Sequence, residues 1–417
     1  MYAFLGIFVF IALAWLFSSH AKAVSWRLVI TGVILQFIFA VMVLGIPAFN
    51  MPGLLSPLFK LANQAINAII GYSNAGTEFV FGPLANATNI GGFVFAVQVL
   101  PIIIFFSSLM AVLYHLGIMQ VIVKGLALVV NKVMGISGPE SLAAAANVFV
   151  GQTEAPLIVK PYLQSMSRSE LMSLMSGGMA TVSGSVMAAY VGLLNERIPE
   201  IGGHLLTASI MSAPAAILFA KIMVPETKES SMKTVPKLKD EDSYANVIDA
   251  ATVGASDGLK LALNVAAMLI AFIALVALVN GFLEFVSTSL GFGVSGDPLS
   301  LEYIFGVIFT PFAFLMGIPW QESLLVGQML GEKVILNEFV AFVTLSNSTV
   351  QLSDRAIIIT SYALCGFANI SSIGIQIGGI GVLIPERRQE LSRLGGRAVV
   401  AGSFAAFSTA CVVALLL

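Results

Sequence analysis

The chain has 417 residues, 58% hydrophobic and only 10% charged, with a formal net charge of −2 and a mean hydropathy of +0.96. Too few charges are present to clothe a soluble protein of this length, and the balance of sign argues against nucleic acid as a partner. Apolar runs of membrane-spanning length predict an all-α polytopic membrane protein, since lipid offers no partner to an unpaired backbone amide.

The first predicted span covers residues 2–17. It lacks the basic start of a secretory signal, and a second apolar run follows at once. Further spans fall at 28–48, 92–117, 170–194, 205–224, 260–286, 356–384 and 398–416, giving about eight transmembrane helices. Residues 51–72 mix Leu54, Leu58, Leu61 and Ile66 with Lys60, Asn63 and Gln64, the pattern of a helix lying in the interface. The polar linker Pro225–Tyr244, with Lys228, Lys233, Lys237 and Lys239, divides the chain into halves.

Two regions resist reading as spans. Residues 139–167 hold two short apolar arms around Gly151-Gln152-Thr153-Glu154. Each arm is roughly 18 Å long, about half a bilayer, so the pair forms a re-entrant hairpin. Residues 301–345 look similar, with Gly317–Glu322 as the break. The segments 18–27, 118–137, 225–244 and 386–397 carry most of the basic residues, which reads as cytoplasmic. The count closes only if the hairpins enter from opposite sides, which makes them inverted repeats. Gly178-Met-Ala180-Thr-Val-Ser183 and Gly366-Phe-Ala368-Asn-Ile-Ser371 repeat one pattern after each hairpin. Inverted repeats with hairpins and broken helices describe a secondary transporter.

The chemistry concentrates at the breaks. Pro156 suits the first turn of the second arm, which sets the positive end of that helix beside Glu154. Glu338 is the second buried-looking carboxylate, unless it is a solvated hairpin edge beside Glu332 and Lys333. Glu322, near the second break, reads as structural, and Lys221, Asp257 and Lys260 read as interfacial. Asn369, Ser371 and Ser372 occupy one interrupted span, and Thr181, Ser183 and Ser185 the other, with Asn147 one turn before the first tip. No arginine or lysine stands securely in this central sequence, so the cargo reads as uncharged and rich in hydroxyls. The oxygens also suit Na+. His20, His115 and His204 match no metal motif, no phosphate-binding loop is present, and Cys365 and Cys411 lie in apolar runs that indicate no disulfide framework.

Gly151-Gln-Thr-Glu-Ala-Pro156, Asn337-Glu-Phe-Val-Ala341, Cys365-Gly-Phe-Ala-Asn-Ile-Ser-Ser372, Tyr72–Gly82 and Ala144–Val150 together resemble the concentrative nucleoside transporter family. The resemblance runs through essentially the whole chain and is closest to the bacterial, sodium-coupled type. It implies a homotrimer in the bacterial inner membrane that imports a nucleoside such as uridine with Na+ and performs no covalent chemistry. Each protomer would work by an elevator movement of a transport domain against a scaffold.

The regions implied are a scaffold at 1–137 with three transmembrane helices and interfacial helices, and a first hairpin repeat at 138–224. A cytoplasmic linker at 225–244, a long transmembrane helix at 245–300, a second hairpin with broken helix at 301–397 and a C-terminal helix at 398–417 follow. Base contacts carry over to Gln152, Thr153, Glu154 and Val186. Ribose contacts carry over to Glu338, Asn369 and Ser372, with Phe367 and Leu261 lining the pocket. The family's Na+ site carries over to Asn147, Val150, Thr181 and Val182, the valines through their carbonyls. Thr181 stands where similar members have a serine, and Asn147 favours Na+ because proton-coupled members depart from it. Alternatives are a proton-coupled carrier titrating Glu154 or Glu338, and a passive channel for polar solutes.

Overall fold

The computed structural model describes residues 2–46, 49, 51–85, 94–227, 232, 234–236, 244–290, 299–347 and 351–417. Lys228, Lys233, Lys237 and Lys239 of the expected linker lie outside these residues. So do residues 47–48 and 92–93, at the edges of two expected spans. Among the described residues the chain is helical, apart from an isolated bridge between Ile46 and Met51.

The N-terminal third contains α1 (Tyr2–Leu16), α2 (Trp26–Leu44), the amphipathic α3 (Ser56–Phe81), α4 (Leu100–His115) and α5 (Ile118–Met134). The stretch 118–137, read from sequence as a loop, is thus mostly helix. One side packs on the protein through Val123, Ala127 and Val130, and the other leaves the apolar Val121, Ile122 and Val129 exposed. Such a two-faced helix suits the membrane interface, where its lysines reach water. Helix α3 docks through Asn63, whose Nδ2 donates to the Pro199 carbonyl at 3.0 Å while its Oδ1 accepts from Gly203 N at 3.3 Å.

The first repeat continues as α6 (Gly138–Asn147), α7 (Ala155–Ile158), α8 (Arg168–Ala180), α9 (Gly184–Leu194) and α10 (Ile201–Met223). Ser137 starts α6, its side chain accepting from Glu140 N, and Ser167 with Glu170 forms a full capping box at α8. The second hairpin arm is shorter than the expected dozen residues. Pro161 has no N–H to extend an α-helix, so α7 gives way to a 3₁₀ turn at Lys160–Tyr162.

Helix α11 (Val247–Leu290) has 44 residues. At 1.5 Å per residue that is roughly 66 Å, about twice the hydrocarbon thickness, so it tilts or runs beyond the bilayer. It packs on α4 and leaves Leu263, Ile270, Leu278 and Phe282 exposed.

The second repeat then runs α12 (Leu301–Leu315), α13 (Trp320–Ile335), α14 (Glu338–Ser346), α15 (Asp354–Leu364), α16 (Ile370–Leu383) and α17 (Arg388–Leu416). The order matches the first repeat element for element: α5 with α12, α6 with α13, and so on to α10 with α17. Between the two starting points the chain crosses three times, as the broken span α8–α9, as α10 and as α11. The repeats therefore begin on opposite sides.

This alignment relocates the second tip. A 120° bend does join α12 to α13 at the expected Gly317–Glu322 position, where Gly317 holds φ +88°. A further break falls at Leu336–Asn337, with no glycine or proline to announce it. There the Asn337 side chain accepts from Val340 N at 2.9 Å and starts α14. That break corresponds to Gly151–Glu154. Glu322 lies at the base of α13 instead, accepting from the Ser353 hydroxyl at 3.0 Å.

Among the described residues six helical stretches are long and apolar enough to cross a membrane, one of them the broken α8–α9, and the bent pair α12–α13 would make a seventh. The expected spans at 2–17 and 356–384 correspond to the short α1 and the broken α15–α16. Helices α8, α9, α10, α15 and α17 form the buried core, and α1 and α2 pack against α17 and α10.

Candidate functional site

Two interrupted helices cross at the centre of the core. Helix α8 ends at Ala180 because Thr181 takes an extended conformation (φ −123°, ψ 168°), and α9 restarts after Ser183. Helix α15 ends at Leu364, and α16 restarts after Asn369. Phe367 N donates to the Thr181 carbonyl at 3.3 Å, tying one break to the other. Gly366 sits at φ +145°, where a Cβ would lie 2.8 Å from the Met179 carbonyl oxygen, so only glycine fits. The paired Gly178 serves a different purpose. A Cβ there would come within 2.8 Å of Gln152 Cβ, so its absence lets the first tip approach α8.

The two tips are joined by side chains. Gln152 is buried, and its Nε2 donates to Ser372 Oγ at 3.0 Å. Asn369 caps α16, its Oδ1 accepting from Ser372 N at 2.8 Å and Ser371 Oγ at 2.7 Å. Its Nδ2 donates to Glu338 Oε2 at 2.9 Å, while Glu338 Oε1 accepts from the Tyr190 hydroxyl at 2.9 Å. Gln152, Ser372, Asn369 and Glu338 thus form one chain of hydrogen bonds, although Gln152 and Ser372 are 220 residues apart. Low dielectric strengthens such a network and makes each broken member costly.

Thr153 and Glu154 are exposed on a cavity of about 1140 Å³ between the first tip and helices α4 and α11. Glu154 Oε2 accepts from Gly151 N at 3.0 Å, so the carboxylate helps close its own turn. Leu261 lines the opposite wall with Asp257, Lys260 and Asn264. Asp257 and Lys260, read from sequence as interfacial, therefore face the first tip, paired with each other at 2.9 Å. The cavity reaches His115, at the end of α4, and Tyr244, just before α11. Val186 is buried on α9, and Phe367 is half-buried at the second break. Neither lines this cavity.

Asn147 closes α6 and is 1% exposed, yet neither amide atom has a hydrogen-bond partner among the described residues. A buried amide left so is costly unless something completes it. Its Nδ2 lies 3.0 Å from where a Gly177 Cβ would stand, and Thr181 Oγ1 donates to the Gly177 carbonyl at 2.9 Å. Asn147 and Thr181 therefore flank the same turn of α8, and Val150 and Val182 are buried at the tip and the break. An amide oxygen, a hydroxyl and carbonyls freed by a helix break make a donor set suited to a hard monovalent cation. Among the described residues no cluster of three His, Cys, Asp or Glu side chains offers a transition-metal site.

Three participants escaped the sequence reading. Tyr190 follows Val186 by one helical turn and Gln376 follows Ser372 by one, so both spacings carried a usable signal. Gln376 Nε2 donates to Gln152 Oε1 at 3.0 Å. Lys333 is the third and corrects the inference that no cation enters the centre: it is wholly buried, with Nζ donating to the Ala363 carbonyl at 2.7 Å. Lys221 is likewise buried rather than interfacial, because Glu140 at 3.0 Å and Glu226 at 3.2 Å compensate its charge.

Residues 5–84 and 204–414 match the families described as Na+ dependent nucleoside transporter N-terminus and C-terminus, and residues 96–197 match one described as nucleoside recognition. The chain is 45% identical over 419 residues to an uncharacterized transporter of Haemophilus influenzae, covering 99% of this chain and 97% of that one. It is 40% identical over 430 residues to sodium/nucleoside cotransporter 1 of Rattus norvegicus, covering 99% of this chain and 63% of the rat protein. Among solved structures, CNTnw in an inward-facing substrate-bound state aligns with a TM-score of 0.89 at 42% identity, over 100% of this chain and 98% of that one. A CNTnw variant in an outward-facing state aligns with a TM-score of 0.91 at 42% identity, over 100% and 97%.

Proposed function

The chain belongs to the Na+-dependent nucleoside transporter family, and from that premise we propose that it is a secondary active symporter importing nucleosides with Na+ across the bacterial inner membrane. The observation that carries this reading is the hydrogen-bonded chain Gln152–Ser372–Asn369–Glu338 spanning both hairpin tips. A nucleoside offers a polar base edge and ribose hydroxyls. Gln152, Thr153 and Glu154 meet the base beside Val186, and Glu338, Asn369 and Ser372 receive the ribose, with Phe367 and Leu261 flanking it. Glu338 gives up its bond from Asn369 or Tyr190 for one from a ribose hydroxyl, so the site is satisfied with or without cargo.

Na+ takes the oxygens of Asn147 and Thr181 and the carbonyls of Val150 and Val182. This pins the end of α6 to the α8 break and so fixes the tip carrying Gln152. Ordering the tip for the nucleoside is a coupling free energy between two sites, and it acts equally in both directions. Alternating access follows from an elevator movement of the hairpin core against a scaffold built on α4 and α11. The exposed apolar face of α11 fits the lipid and the partner protomers of a homotrimer.

The test is uptake of labelled uridine into liposomes. Accumulation above equilibrium with an inward Na+ gradient, lost when choline replaces Na+, is expected. Uptake that follows an imposed pH gradient without Na+ would replace the ion, and mere equilibration would leave only a channel.

A further inference from the structure

Lys333 has no role in the symport described above. It lies in the last turn of α13, five residues before Glu338, and its relative exposure is 0%. Burying an ammonium is costly unless charge or hydrogen bonds compensate it. Among the described residues no carboxylate oxygen lies within the 4.0 Å of a salt bridge to it.

Its acceptor explains the placement. Ala363 is in the last turn of α15, whose final carbonyls have no helical donors because the chain breaks at Cys365. A helix C-terminus gathers partial negative charge, and a cation there is favoured. Glu338, at the start of the next arm, is bonded to Asn369 on the other side of the same α15–α16 break. Glu338 is itself buried, and the side chains that donate to it among the described residues, Tyr190 and Asn369, are neutral. The ammonium thus holds the open end of α15, while Glu338 holds Asn369 where the chain resumes as α16.

The first repeat has the same parts without the lysine. There α6 ends in Asn147, whose amide atoms lack partners among the described residues, beside the break that ends α8. One repeat presents oxygens at the broken end of its half-helix, and the other presents an ammonium at the corresponding end. We propose that Lys333 is the fixed counter-cation of the second hairpin, holding the open end of α15 and offsetting Glu338 as Na+ holds the end of α8. This rests on the symport reading, since it assigns Na+ to the first repeat alone. Lys333 is a positioning residue: it acts on the ribose end of the site through Glu338 and α15.

The experiment combines uptake with a stability cycle on purified, full-length protein. Wild-type Na+-dependent uridine uptake checks the parent reading, and its absence would defeat that reading whatever Lys333 does. Lys333→Met should raise the KM for uridine at least about tenfold, as expected when a buried charge loses its partner, while the Na+ concentration for half-activation shifts less than about twofold. It should lower Tm in the wild-type background and lower it by less than half as much in the Glu338→Gln background, because the charge it offsets is then gone. An unchanged KM, or equal Tm losses in both backgrounds, would overturn the proposal. Should Lys333→Met fail to assemble alone, assembly of the Lys333→Met/Glu338→Gln double variant supports the coupling, and failure of both refutes it.

Discussion

The two hairpin tips answer one problem in different ways. Each places a carboxylate at the start of its second arm, Glu154 before α7 and Glu338 in α14. Glu154 is exposed on a cavity, and its described partner is the Gly151 N–H of its own turn. Glu338 is buried and shares its oxygens between Tyr190 and Asn369, with Lys333 on the arm before it. A charge at membrane depth is tolerated either by facing water and cargo or by being built into a complete protein network. The first solution leaves the carboxylate open to solvent, and the second makes it part of a network whose members depend on one another.

Substitutions at the two tips should therefore differ in size. The largest effect belongs to Glu338→Gln. Hydrogen bonds to a charged acceptor contribute about 1.5–3 kcal/mol each; glutamine keeps one neutral oxygen acceptor but sets an N–H against a donor in place of the other, which predicts at least about a hundredfold loss of uridine uptake. The protein should still elute as a folded oligomer, and wild-type uptake would remove Glu338 from the site. Gln152→Ala breaks the bonds to Ser372 and Gln376 and should raise the uridine KM about tenfold, at about 1.4 kcal/mol for each factor of ten. A KM unchanged in that variant would mean that the bridge between tips is not where the nucleoside docks.

Glu154→Gln keeps a side chain able to accept from Gly151 N and leaves the open tip intact. Its uridine KM should rise only about threefold to fivefold, since solvent moderates the lost charge. A loss as large as that of Glu338→Gln would erase the contrast between the tips. Smallest is Lys260→Met on the opposite cavity wall. Its pair with Asp257 is exposed, and exposed pairs contribute about 0–1 kcal/mol, so uptake should change less than about twofold. A larger effect would place Lys260 on the cargo's path rather than beside it.

Much of this was legible in the sequence. The spans declared themselves by length and apolarity, and Gly151–Pro156 announced the first tip with a polar triplet between apolar arms. The second tip was harder. Gly317 and Pro319 drew attention to a bend that joins two helices, while Asn337 broke the chain with nothing more than a capping amide. Lys333 was obscured because, beside Glu332, it made the segment before Glu338 look solvated. Its burial depends on Ala363, thirty residues away.

By itself the sequence determined which segments could enter a membrane, that two of them were broken, and that their breaks carried carboxylates, amides and hydroxyls. Those properties follow from local composition and periodicity. Only the tertiary structure decided that Gln152 meets Ser372, that Glu338 is held by Tyr190 and Asn369, and that Lys333 rather than solvent occupies the end of α15. Such pairings arise when two repeats of opposite orientation are packed until their half-helix ends face each other, and that geometry joins residues no local pattern connects.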